Sequence, residues 1–149
     1  MEEWMLPCLW REDARRLRES QAAGARYGLM LTAEQLESLR RQEAETLAAY
    51  GRVDFGGGIL PRLIKAFCSS PYLLAEDYEN VLAELQEQFY YFKSLCRDRL
   101  SDDELLTAMR RIFDAWGGGT EGLSGAEEET LRRAAEGGDF WDGEEDGNG

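Results

Sequence analysis

The sequence predicts an all-α fold, a compact bundle of about five helices followed by a disordered, acidic, Gly-rich C-terminal tail. Three observations lead there. Apolar residues recur at helical spacing in segment after segment, most clearly at Tyr78, Leu82, Leu85, Phe89, Phe92 and Cys96, which would form a continuous seam along one helix face. Thr32 with Gln35, and Ser101 with Glu104, read as capping boxes, in which the hydroxyl accepts an N–H three residues on and the longer side chain accepts the cap's own N–H. Glycine gathers at the end, with 10 of the 16 in residues 117–149, a composition that cannot easily offset the entropy of ordering the backbone.

A first helix over 13–23 sets Trp10, Ala14, Leu17 and Gln21 on one side and Arg11, Arg15 and Arg18 on another. Gly24 and Gly28 loosen the segment after it, and the helix capped by Thr32 runs to Tyr50 and stops at Gly51. Val53, Asp54 and Phe55 alternate like a strand but are too few for a sheet before Gly56-Gly57-Gly58 breaks them, so they form a connector. Pro61 suits the first turn of a third helix, whose stripe is Leu60, Leu63, Ile64, Phe67 and Cys68 and which ends before Pro71. The seam helix spans 75–97, and a fifth helix after Ser101 buries Leu105, Met109, Ile112 and Trp116 before Gly117-Gly118-Gly119 ends it. A sixth, over 124–136, would start at Ser124 with Glu127 as box partner, yet it offers only Leu131 and a few alanines, so its docking stays open. The organisation expected is a helical domain over 1–116 and a tail over 117–149.

At 149 residues and 43% hydrophobic content the chain suits one folded domain. Its apolar runs are short and its start lacks a basic flank, which predicts a cytoplasmic protein with no membrane span. Cys8, Cys68 and Cys96 are odd in number, widely spaced and without a Cys-x-x-Cys pair, so they read as small buried hydrophobes in a reducing compartment. The net charge of −13 argues against direct binding to nucleic acid or anionic membranes and points to a protein partner with a basic surface. Residues 117–149 carry 2 basic and 10 acidic side chains, so most of that charge belongs to the tail.

Histidine is absent, which removes the usual general base, the commonest metal ligand and every Ser-His or Cys-His nucleophile. No catalytic, cofactor-binding or metal-ligating residue is assigned, no cofactor is expected, and a carboxylate-based enzyme is a minor alternative. Gly56-Gly57-Gly58 reads as a turn, because no phosphate-loop Lys comes after it and Pro61 removes an amide. The Gly-rich run after Asp114 is no calcium loop, since Trp116, Gly118 and Gly125 occupy ligand positions. Glu43 falls on or beside a stripe of Leu36, Leu39, Leu47 and Tyr50, where a carboxyl must be paired or protonated. It is a boundary residue, has an Arg partner, or makes a polar functional contact.

Tyr90 and Tyr91 point sideways between Phe89 and Phe92 and would either pack on neighbouring helices or anchor a partner. Arg11, Arg15 and Arg18 form a solvated face interleaved with acids, a second candidate contact. Phe140 and Trp141, embedded in acid, have the composition of a short docking segment, or of an inert tail. These features favour a non-enzymatic interaction module over its alternative, an acidic regulator that mimics nucleic acid. Apolar seams also pair helices between chains, which leaves a homodimer open.

Several ordered stretches carry a resemblance: Leu6-Pro7-Cys8-Leu9-Trp10, Arg26-Tyr27-Gly28-Leu29, Gly58-Ile59-Leu60-Pro61 through Ser70-Pro71-Tyr72, and Phe89-Tyr90-Tyr91-Phe92-Lys93 through Asp103-Glu104-Leu105. Over roughly residues 6–113 the chain resembles an uncharacterised clostridial family of small proteins, a domain of unknown function. The resemblance implies a bacterial cytosolic protein and carries no activity, cofactor or site residue. The Gly-rich tail lies outside it.

Overall fold

Two helix starts are written into the chain as local chemistry, and the fold is built outward from them. The computed structural model describes residues 7–53 and 58–137. Those residues form seven helices and no strand: α1 (Pro7–Ala25), α2 (Ala33–Ala49), α3 (Leu60–Phe67), α4 (Tyr78–Leu95, entered through a 3-10 turn at Ala75–Asp77), α5 (Asp102–Ala115), α6 (Thr120–Ser124) and α7 (Glu128–Glu136). Among the described residues no helix is long and apolar enough to cross a membrane. The chain divides into two units between Glu87 and Gln88, inside α4.

In the first unit α2 opens on its capping box, with Gln35 N–H donating to Thr32 Oγ1 at 3.1 Å and Thr32 N–H to Gln35 Oε1 at 2.8 Å. Helix α3 is short but spends nearly all of its surface on the core, burying Leu60, Pro61, Leu63, Ile64 and Phe67. It packs on α1, where Glu19 also reaches Lys65 at 3.5 Å. The α2 and α4 backbones are joined by two amide side chains. Gln42 donates to the Ala83 carbonyl at 3.1 Å, and Gln86 donates to the Leu39 carbonyl at 3.1 Å and to Gln42 Oε1 at 3.0 Å. Two helix carbonyls thereby gain a second partner, which fixes the register of the pair.

In the second unit α5 opens on the box predicted for it, Glu104 N–H to Ser101 Oγ at 3.1 Å and Ser101 N–H to Glu104 Oε1 at 2.8 Å. Helices α6 and α7 both pack on α5. They bury Leu123, Ala126, Leu131 and Ala134, while Arg99 clamps Glu128 through two bonds of 2.6 Å and Arg111 donates to the Ala134 carbonyl. These two helices lie beyond the body boundary expected at Trp116 and account for seven helices where about five were expected. Trp116 itself, expected on the buried side of α5, is 53% exposed; it caps the helix instead of lying within it, and its ring covers Gly122, where a Cβ would collide with it. The capping box expected at Ser124 does not form. Ser124 closes α6, its hydroxyl donating to the Glu121 carbonyl at 2.8 Å, and α7 starts from Glu127 without a side-chain cap. Gly119 and Gly125 bracket α6, so the break falls one residue after the serine instead of before it. Residues 138–149 lie outside the described residues.

The α4 seam is buried throughout, with Tyr78, Leu82, Leu85, Phe89, Phe92 and Cys96 each at most 2% exposed. Cys68 and Cys96 are buried free thiols; the side chain of Cys8 lies outside the described residues.

After α4 the chain turns through two consecutive left-handed residues that are not glycine, Arg97 (φ 52°) and Asp98 (φ 60°). Lys93 braces this turn, donating to the Leu100 carbonyl at 3.0 Å and pairing with Asp102 at 2.9 Å. Left-handed backbone costs an ordinary L-residue about 1–2 kcal/mol, part of which glycine returns as unfolded-state entropy. The exposed Arg97 is therefore a site where Arg97→Gly should raise stability by about 0.5–1 kcal/mol, read as an upward shift of the urea midpoint; a downward shift would show that the turn is not strained.

Candidate interaction surface

The C-terminal end of α1 is shaped by Gly24. A Cβ there would stand 3.0 Å from the Leu29 carbonyl and 3.1 Å from the Tyr78 hydroxyl, so the loop 26–32 and the start of α4 close over the same point. Tyr78 is 2% exposed. Its phenol is pushed up to about 12 by burial and then by Cys68, and the loop 68–77 leads directly into it.

Both loops alternate between core and solvent. Leu29, Leu31 and Leu73 are buried, whereas Tyr27 is 57% exposed, Met30 69%, Tyr72 46% and Leu74 48%. One exposed apolar side chain is ordinary; here two large ones lie in each of the two loops. Glu34, in the first turn of α2, and Glu76 and Asp77, in the turn before α4, are exposed, as is Arg26. The acids suit the N-terminal helix ends they occupy. The sequence signal was available in principle, since large apolar residues are out of place in short polar connections, but helical periodicity passes over it.

Glu43 is 4% exposed and has the Arg partner foreseen for it, Arg40 donating to Oε1 at 3.3 Å. Its second role was not foreseen: Oε2 accepts the backbone N–H of Ile59 at 2.7 Å and of Leu60 at 3.3 Å. A carboxylate from α2 therefore supplies the N-terminal cap that α3 lacks. Gly58 (φ +100°) lies so close that any Cβ would collide with both carboxylate oxygens, and its backbone conformation independently requires glycine. Burial pushes the Glu43 carboxyl above its ordinary value, against the pull of Arg40 and the two amides.

The remaining candidates fare unequally. Tyr90 is corrected: it is 3% exposed, its ring set edge-on to Phe89 at 5.1 Å and 85°, and it offers no free surface. Adjacent helix residues lie about 100° apart, and the buried arc here is wide enough to take both. Tyr91 stays exposed, with its ring 5.4 Å from that of Phe92. Arg15 and Arg18 are exposed, with Arg15 bonded to Glu19 at 2.9 Å. The Arg11 side chain, Phe140 and Trp141 lie outside the described residues.

The described residues form an all-helical protein whose first unit exposes Tyr27 and Met30 in one loop and Tyr72 and Leu74 in another, with Tyr50 and Val53 also exposed after α2. The chain belongs to a family of unknown function, DUF6323, whose model matches residues 16–138. Neither the curated proteins nor the solved structures give a match. The family match runs past residue 113, where the resemblance was expected to stop, and includes α6 and α7.

Proposed function

We propose that this chain is a non-enzymatic protein-interaction module that binds through the loop end of its first unit. The observation that carries the reading is the outward projection of Tyr27, Met30, Tyr72 and Leu74 beside buried neighbours in the same loops. Tyrosine is enriched among residues that dominate binding energy, because its ring buries a large area while few torsions are frozen. The lack of histidine supports a binding role over acid–base chemistry, and the buried thiols Cys68 and Cys96 suit a cytoplasmic setting. Nucleic-acid mimicry is less well supported. Glu19, Glu37, Asp102, Asp114, Glu128 and Glu129 are each paired with Arg or Lys, which disperses the charge that a mimic would align.

A photo-crosslinking amino acid placed at Met30, Tyr72 or, as a control, Glu37 in the full chain tests the reading in its native cytosol. Met30 and Tyr72 should give the same discrete adduct, absent at Glu37. Adducts independent of position, or none at either loop, would overturn it.

A further inference from the structure

At Gly24 the end of α1 meets two oxygens from other parts of the first unit. A Cβ built there would stand 3.0 Å from the Leu29 carbonyl oxygen and 3.1 Å from the Tyr78 hydroxyl, so these oxygens are separated by no more than two hydrogen bonds laid end to end. Both belong to residues only 2% exposed. The Tyr78 hydroxyl is buried and has no hydrogen-bond partner among the described residues. Leu29 donates its N–H to the Gly24 carbonyl at 2.9 Å, and among the described residues nothing is bonded to its own carbonyl. A hydroxyl buried in that way forfeits the hydration it has in the unfolded chain, and phenylalanine would be the more stable residue unless something answers the O–H. A donor and an acceptor at this spacing are what one water molecule spans. Glycine keeps the approach open, because a methyl group on Gly24 would stand within hydrogen-bond distance of both oxygens.

We infer that the corner formed by the end of α1, the loop 26–32 and the start of α4 is a binding site for one internal water molecule, which accepts a hydrogen bond from Tyr78 Oη and donates one to the Leu29 carbonyl. Gln21, three residues before Gly24 and so on the same face of α1, carries another buried oxygen without a partner, Oε1, and is the acceptor on that face for the second proton of the water. Burial, then Cys68, holds the phenol pKa at about 12, so Tyr78 keeps the proton it donates at any physiological pH. The water ties the loop that carries Tyr27 and Met30 to α4. The site is independent of the interaction role proposed above, because it is internal to the first unit.

A high-resolution crystal structure of the full chain, paired with urea unfolding of Tyr78→Phe, tests the site. One ordered water should lie within hydrogen-bond distance of both Tyr78 Oη and the Leu29 carbonyl oxygen. Removing the hydroxyl should lower the folding equilibrium constant by about threefold to tenfold, the net worth of one hydrogen bond in a satisfied site, whereas Tyr72→Phe, at an exposed position, should leave it unchanged. A direct hydrogen bond from Tyr78 to Leu29 with no water between them would overturn the inference. So would a Tyr78→Phe chain more stable than the native one, which is the result for a hydroxyl buried dry. If the loops crosslink to no partner while the water is in place, the interaction role fails and the water site stands.

Discussion

Replacing Glu43 by alanine is expected to destabilise the protein by about 2–4 kcal/mol, because it leaves the Ile59 and Leu60 amides without this acceptor and removes the carboxylate contact of Arg40. An orphaned buried donor costs about 1–3 kcal/mol, and breaking a buried ion pair costs more than never forming one. Glu43→Gln keeps an acceptor oxygen near Ile59 and should lose less. Equilibrium urea unfolding of the three chains checks the order, and equal midpoints for the native chain and Glu43→Ala would remove the carboxylate as the cap of α3.

The same carboxyl gives a pH signature with a definite sign. Its folded pKa is raised above the unfolded value of 4.5, so the folded state holds that proton more tightly. The stability contributed in this way is fully present below the unfolded pKa and is lost as pH rises through the folded one. The exposed pairs behave oppositely, since Glu19 and Glu128 are lowered by Arg15 and Arg99 and lose their contributions as pH falls. Comparing native chain and Glu43→Gln at each pH cancels those shared terms. The glutamine variant should gain on the native chain as pH climbs from 4.5 toward neutrality, and a declining difference would mean that burial does not dominate at Glu43.

Phe89→Ala carries the largest expected loss, about 3–5 kcal/mol, the sum of lost transfer energy and the cavity left in a packed interior. Phe89 is 2% exposed and holds an edge-on contact with Tyr90. A loss of that size is a large part of the roughly 5–15 kcal/mol that keeps a domain folded. Tyr91→Ala, two positions on but exposed, should stay within about 0.5 kcal/mol. Thermal melts of both variants test the assignment, and a melting curve for Phe89→Ala that matches the native one would take Phe89 out of the core.

The features legible in the chain were those that depend on near neighbours. The boxes at Thr32–Gln35 and Ser101–Glu104 join residues three apart, and the Tyr78–Cys96 seam repeats every three or four, so spacing alone finds them. The spacing also put Glu43 on a buried stripe, and Arg40 is close in sequence. Its bonds to Ile59 and Leu60 cross the α2–α3 connection and have no local signature. Tyr90 and Tyr91 were left between packing and a partner contact because a helical wheel gives direction but not the width of the buried arc. The exposure of Tyr27 and Tyr72 was missed because both lie in loops, where helical periodicity gives no signal. Ser124 carried the right residue type for a cap, but Gly125 had already ended the turn that contains it.

The origin of the α3 cap has a kinetic meaning. Helices α2 and α5 bring their own start signals, and each can begin winding from local sequence. Helix α3, at 8 residues, is too short to persist by itself, and the acceptor for its first amides arrives on another helix. Its first amides gain their protein acceptor only when α2 is in place through Glu43, so α3 is expected to form with or after α2, and Glu43→Ala is expected to loosen that coupling. A single side chain thus ties the start of one helix to the folding of another.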